Sequence, residues 1–130
     1  MGTGSGILAI AAAKLGAASV WAGDNDPVAV LTAERNVIRN GVQRLVTVVR
    51  AEGCDEAPPC DLLVSNISTE VVLQLLPDFA RLLRRGGWLV VSGIIVERAS
   101  AVRTALSRAP WQQVQQRERG EWCAFAAQRS

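Results

Sequence analysis

Apolar and polar positions along this chain switch repeatedly between the two-residue period of strands and the three-to-four-residue period of helices. Residues 19–23, 46–50 and 61–65 are short β-rich runs, and 88–94 is almost continuously apolar, as expected of a strand inside a covered sheet. Ile7, Leu8, Ile10, Ala11 and Leu15 mark a helix that ends near Gly16. Val30, Ala33 and Val37 mark a second, with Asp26 as its N-cap, Pro27 at its first position and Asn40-Gly41 at its end. A third runs from Val71 to Leu83. Pro77 is expected to kink or divide it, and Arg84-Arg85-Gly86-Gly87 reads as its basic, glycine-terminated end. A fourth covers 97–109, with Val102, Ala105 and Leu106 facing inward, and stops before Pro110. Residues 111–116 and 121–128 read as two strands joined by a tight turn near Gly120.

The resulting order, α-β-α-β-β-α-β-α-β-β, predicts an α/β domain of the doubly wound, Rossmann-like class, with helices on both faces and a closing antiparallel hairpin. With 130 residues and no repeat or low-complexity linker, the chain is expected to form a single domain over 1–130. A glycine loop that opens a helix ordinarily follows a strand, yet only Met1 precedes this one. The first, central strand is therefore expected to be missing, leaving two neighbours without a ladder partner.

Composition narrows the chemistry. A hydrophobic fraction of 49 % suits a buried sheet, and a net charge of +2 leaves no basic footprint for direct nucleic-acid binding. The chain has no histidine, which excludes a Ser-His-Asp triad and a histidine metal site together. Cys54, Cys60 and Cys123 lack paired spacing, so no metal site is expected and a reduced, cytoplasmic setting follows. No apolar run approaches the ~18 residues of a membrane span, and residues 7–13 lack the basic leader of a signal peptide. A monomer is expected.

The strongest chemical signal is Gly2-Thr3-Gly4-Ser5-Gly6, a G-x-G-x-G loop at a helix entry. Without a Cβ its backbone turns tightly and approaches a ligand closely. By itself such a loop is as readily a plain turn. Asp24, at the end of the following strand, adds a carboxylate placed to accept hydrogen bonds from ribose hydroxyls. The dinucleotide fingerprint needs a small residue where Ile7 stands, and here the third glycine comes one position earlier, at Gly6. That spacing fits a sulfonium cofactor, S-adenosylmethionine, better than a pyrophosphate-bearing dinucleotide.

These residues resemble a known family. Residues 2–16 closely resemble the cofactor motif of PrmA, the bacterial methyltransferases that act on ribosomal protein L11. Asp24-Asn25-Asp26-Pro27 resembles that family's Asp-x-Asp-Pro, and residues 36–42 its Asn-x-x-x-Asn-Gly-Val. Val64-Ser65-Asn66-Ile67 is similar to Val-Ala-Asn-Ile, Ser92-Gly93-Ile94 to Ser-Gly-Ile, and Glu121-Trp122-Cys123 to the closing segment. The resemblance implies a class I methyltransferase fold and methylation of lysine side chains and an N-terminal amine on that large-subunit ribosomal protein. It implies Gly2, Thr3, Gly4 and Gly6 around the methionine moiety, Asp24 at the ribose, and Asn66 both bordering the cofactor and serving as catalytic residue. The plainer alternative is that Asn66 only caps the next helix. The family also carries a strand and a substrate-holding domain ahead of the glycine loop, so this chain alone is expected to turn over little. Another acceptor, or a non-catalytic cofactor-binding fragment, are the other readings.

Four further groups read as structural. Glu52 and Asp55 form a solvated loop, Arg81, Arg84 and Arg85 are surface charges, Cys54 and Cys60 are incidental, and the four tryptophans are packing residues.

Overall fold

The computed structural model describes residues Met1–Ser130, which form two compact units, Met1–Pro58 and Pro59–Ser130. In chain order the elements are α1 (Ile7–Lys14), β1 (Val20–Asp24), α2 (Pro27–Arg39), β2 (Val46–Arg50), β3 (Cys60–Asn66), α3 (Thr69–Leu82), β4 (Leu83–Ile95), α4 (Ala99–Leu106), β5 (Trp111–Arg119) and β6 (Trp122–Arg129). This is the order anticipated from the hydrophobic pattern, with a short 3₁₀ turn at Val96–Arg98 added ahead of α4.

In the first unit β1 and β2 pair in parallel, Val20 opposite Val46 and Ala22 opposite Val48. Period-two alternation puts these four residues on one face, where they pack with Ala9, Ile10 and Ala13 of α1 and Val37 of α2. Helix α2 starts as expected. Asp26 has an extended backbone and accepts a hydrogen bond from the Val28 amide at 2.9 Å, and Pro27 occupies the first turn. Along α1 the buried stripe is Ala9, Ile10 and Ala13, whereas Ile7 and Leu15 point to solvent. Small residues dominate that stripe and let the helix lie close to the two strands.

The second unit is a four-stranded sheet of order β3-β4-β6-β5. β3 and β4 run parallel, and β6 lies antiparallel to both β4 and β5, giving the expected closing hairpin. Leu63, Leu89, Val91, Phe125 and Ala127 are buried on one face, and the apolar stripes of α3 (Val72, Leu76, Phe79, Leu82) and α4 (Val102, Leu106) are buried with them. β1 pairs with β2 alone and β3 with β4 alone, so each keeps one edge without a strand neighbour.

Three local expectations are corrected. Of the kink or division expected at Pro77, division does not occur, since α3 runs from Thr69 to Leu82 through it. The lost backbone hydrogen bond is offset by a continuous buried stripe on either side of the proline. The helix at 97–109 is shorter than its pattern suggested, a 3₁₀ turn followed by α4 ending at Leu106.

The third correction is larger. Arg84-Arg85-Gly86-Gly87 is not a helix end but part of β4. Leu83 is fully buried and pairs with Cys60, while Trp88 pairs with Leu62, so the intervening residues loop out of register. Arg84 pins this excursion by donating from one nitrogen to both carboxylate oxygens of Asp61, at 3.0 Å each. A Cβ on Gly87 would come within 2.9 Å of the Arg84 and Asp61 carbonyl oxygens, so no larger residue fits there.

Candidate functional site

In the first unit, Gly2, Gly4 and Gly6 all adopt positive φ (74°, 55° and 82°), a region in which an L side chain is strained. Gly6 carries a second constraint. A Cβ there would meet the Ala33 Cβ at 3.2 Å, so its bare backbone lets α2 pass close beneath the loop. A Cβ on Gly4 would meet nothing within 4 Å, so that glycine faces open space. The Thr3 amide donates to the Gly23 carbonyl at 3.1 Å, and the Gly6 amide closes the turn onto the Thr3 carbonyl at 2.9 Å.

Asp24 ends β1 beside this loop, with only 8 % of its surface exposed. Its Oδ2 accepts from the Gly4 amide at 2.9 Å and its Oδ1 from the Asp26 amide at 3.0 Å. The carboxylate thus holds the glycine loop on one side and the entry to α2 on the other. The two oxygens together offer about four acceptor sites, so two remain for a ligand. Gly2, Thr3, Gly4, Gly6 and Asp24 are thus brought together, as the spacing anticipated. Asn36 adds a contribution that spacing did not reveal: its side-chain amide donates to the Ser5 carbonyl at 2.9 Å and ties the loop to α2.

Asn66 lies in the second unit, at the C-terminal end of β3, and is exposed. It does not cap α3. The N-cap residue is Ser68, which makes no side-chain capping bond. Asn66 stands opposite Ser92, and the Ile67 amide donates to the Ser92 carbonyl at 3.2 Å. Gly93, at φ 80°, sits immediately beside it. A Cβ there would lie 2.5 Å from the Asn66 Oδ1 and 2.8 Å from the Ile67 carbonyl. The resemblance marked Ser92-Gly93-Ile94 without a role, and only the strand register makes the close approach visible.

Asn66, Ser92 and Gly93 border an open cleft of about 930 Å³ whose far wall is the β5–β6 hairpin, including Arg117, Arg119 and Trp122. Trp122 is 51 % exposed here and is not the packing residue expected, unlike Trp111, which is buried. Beside the cleft the Cys123 thiol is 2 % exposed, and its pKa is raised by burial and by the nearby Glu118 carboxylate. The loop with Glu52, Asp55 and Glu56 lines only a small hollow of about 300 Å³ after β2 in the first unit. No cluster of His, Cys, Asp or Glu is arranged to hold a metal ion, and no helix is long and apolar enough to cross a membrane.

Comparison with known proteins adds family and fold. Residues 1–130 match the family described as Ribosomal protein L11 methyltransferase (PrmA). Among curated relatives named ribosomal protein L11 methyltransferase, that of Desulforamulus reducens is 44 % identical over 126 residues, 96 % of this chain and 41 % of its own length. The relative from Symbiobacterium thermophilum is 47 % identical over 131 residues, covering 98 % of this chain and 41 % of that protein. The chain therefore spans about two-fifths of the length of these relatives. A crystal structure of a ribosomal protein L11 methylase from Lactobacillus delbrueckii subsp. bulgaricus superposes with a TM-score of 0.92 at 35 % identity, covering 99 % of this chain and 67 % of that one. A precorrin-6y C5,15-methyltransferase from Geobacter metallireducens shares the fold at a TM-score of 0.82 and 20 % identity. The fold is that of the Rossmann-like class I methyltransferases.

Proposed function

The chain belongs to the ribosomal protein L11 methyltransferase (PrmA) family, and on that premise we propose that it is the S-adenosylmethionine-binding, methyl-transferring part of an enzyme acting on ribosomal protein L11. One observation carries the cofactor reading: a loop of three positive-φ glycines is hydrogen-bonded at Gly4 to a buried strand-end carboxylate, Asp24. The residues fit such a ligand. Gly4 faces open space where a side chain would intrude, and Asp24 retains acceptor capacity beyond its two backbone partners.

Gly2, Thr3, Gly4 and Gly6 would hold the methionine end of the cofactor, and Asp24 the ribose hydroxyls. When bound, the sulfonium supplies a methyl group already activated for in-line displacement. The protein then has to position an uncharged amine and exclude water, and needs no histidine base. Asn66 is the proposed catalytic residue and a cofactor neighbour. Its side-chain oxygen, free of protein partners, would accept a hydrogen bond from the incoming amine and aim the nitrogen lone pair. The ammonium form gives its proton to bulk water before the amine enters the site, so the nitrogen arrives uncharged.

The acceptor amines are proposed to be lysine side chains and an N-terminal amine of ribosomal protein L11. Residues 1–130 are taken as parts of one catalytic domain, monomeric and acting in the cytoplasm without direct contact to nucleic acid.

Titration calorimetry with S-adenosylmethionine and with NAD tests this reading. Heat from the sulfonium cofactor alone is expected, and preferential binding of NAD would overturn it.

A further inference from the structure

The sheet face opposite α3 and α4 bears an asymmetry of charge that the methyl-transfer chemistry does not use. Period-two alternation and the strand register put Asn66, Ser92, Ala124 and Trp122 on this face. β5 lies beyond β6, with Arg117 opposite Ala124 and Arg119 opposite Trp122, so both guanidinium groups belong to the same face and border the cleft next to Asn66. Both arginines are exposed, and neither is among the ion pairs of this unit. Other arginines of this unit are engaged differently: Arg81 with Asp78, Arg84 with Asp61, Arg98 with Glu70, and Arg103 with the Gln116 side chain. The intervening Glu118, which also lines the cleft, stands opposite Cys123 and accepts from the Gln116 side-chain amide at 2.7 Å; two guanidinium groups against one carboxylate leave this stretch of the wall net positive.

We propose that Arg117 and Arg119 form an anion-recognising wall of the acceptor cleft, selecting a polypeptide segment with acidic side chains flanking the amine to be methylated. This rests on the reading of the cleft as the acceptor site. Two forked donors on one strand face match two carboxylates on an extended peptide, and guanidinium is the group suited to that geometry. The same positive potential favours the uncharged form of an amine brought beside it, which is the form that attacks. Charges on an open wall chiefly set partner preference and encounter rate, with a modest share of affinity.

The test uses the full 130-residue chain and two synthetic peptides, each with a single lysine, one flanked by glutamates and one by glutamines. Fluorescence anisotropy is expected to show the acidic peptide binding roughly 3–20-fold more tightly at low salt, from two exposed ion pairs of ordinary strength. The preference should fade at high ionic strength and vanish in the Arg117→Glu/Arg119→Glu variant. Calorimetry on that variant should return an unchanged affinity for S-adenosylmethionine. Equal binding of both peptides, or a preference that survives charge reversal, would overturn the proposal. So would single-stranded polyuridylate outcompeting the acidic peptide on the unsubstituted chain, since the wall would then serve phosphate. Failure of the unsubstituted chain to bind S-adenosylmethionine, with peptide preference intact, would instead count against the methyltransferase reading and leave the anion-selective wall standing.

Discussion

The Oδ2 of Asp24 accepts a hydrogen bond from the backbone amide of Gly4 at 2.9 Å, joining the end of β1 to a loop twenty positions earlier in the chain. The same carboxylate caps the Asp26 amide through its other oxygen. One side chain therefore shapes the glycine loop and offers acceptor sites to a ligand, and stability and cofactor affinity are coupled at this residue.

Replacing Asp24 separates the two roles. Asp24→Ala leaves two amide groups in a largely buried place without their acceptor, and should cost about 1–3 kcal/mol in stability. Asp24→Asn keeps one carbonyl oxygen and should cost less. Both should weaken S-adenosylmethionine binding by about tenfold or more. Urea unfolding and calorimetry on the same preparations check this. An unaltered unfolding midpoint for Asp24→Ala would show that the two hydrogen bonds carry no stability.

The loop glycines are expected to differ in kind. Gly6→Ala meets both a positive φ and the Ala33 Cβ at 3.2 Å, so it should destabilise the fold by about 1–3 kcal/mol. Gly4→Ala meets only the φ penalty of about 1–2 kcal/mol, but its methyl group enters the space assigned to the ligand. Thermal unfolding should rank Gly6→Ala as the less stable, while cofactor affinity should fall for Gly4→Ala even in the folded protein. The reverse ranking in stability would mean that α2 yields to the added methyl group.

Asn66 and Gly93 should behave as a pair. Asn66→Ala is expected to lower the rate of methyl transfer roughly tenfold or more by loss of positioning, with little change in fold. Gly93→Ala forces a Cβ to within 2.5 Å of the Asn66 Oδ1, and should produce a similar loss of rate together with lower stability. Labelled-methyl transfer to ribosomal protein L11 reads both, in a chimera supplying the remaining length of a curated relative. Full activity of the Asn66→Ala chimera would remove Asn66 from the mechanism.

Cys123 predicts a pH dependence. Burial, then the Glu118 carboxylate, raise its thiol pKa above the ordinary value of 9.0. The folded protein thus holds this proton where the unfolded chain has lost it. The contribution to stability is complete below pH 9 and is lost as pH rises through the higher folded value. Unfolding free energy should fall as pH rises above the ordinary thiol value of 9.0, and the fall should be shallower in Cys123→Ala. Identical slopes for the two proteins would show that the thiol is not differentially protonated.

Local chemistry alone determined much of this molecule. The order of elements, the Asp26-Pro27 start of α2 and the extent of β2 were legible because their causes lie within a few residues, and the glycine loop with Asp24 because one helix and one strand of readable length separate them. Periodicity, capping and the need for positive φ are of that kind. Tertiary structure decided the rest. Arg84-Arg85-Gly86-Gly87 has the composition of a helix end, but the buried Leu83 and the Arg84–Asp61 ion pair draw it into β4. Trp122 looks like a core residue and is half exposed, because its pairing opposite Ile95 turns it to the face away from α3 and α4. The approach of Gly93 to Asn66, and the alignment of Arg117 with Arg119 on the cleft wall, depend on which residues stand opposite one another across strands. A one-residue change of register reverses every such relationship, and register is set by partners far away in the chain.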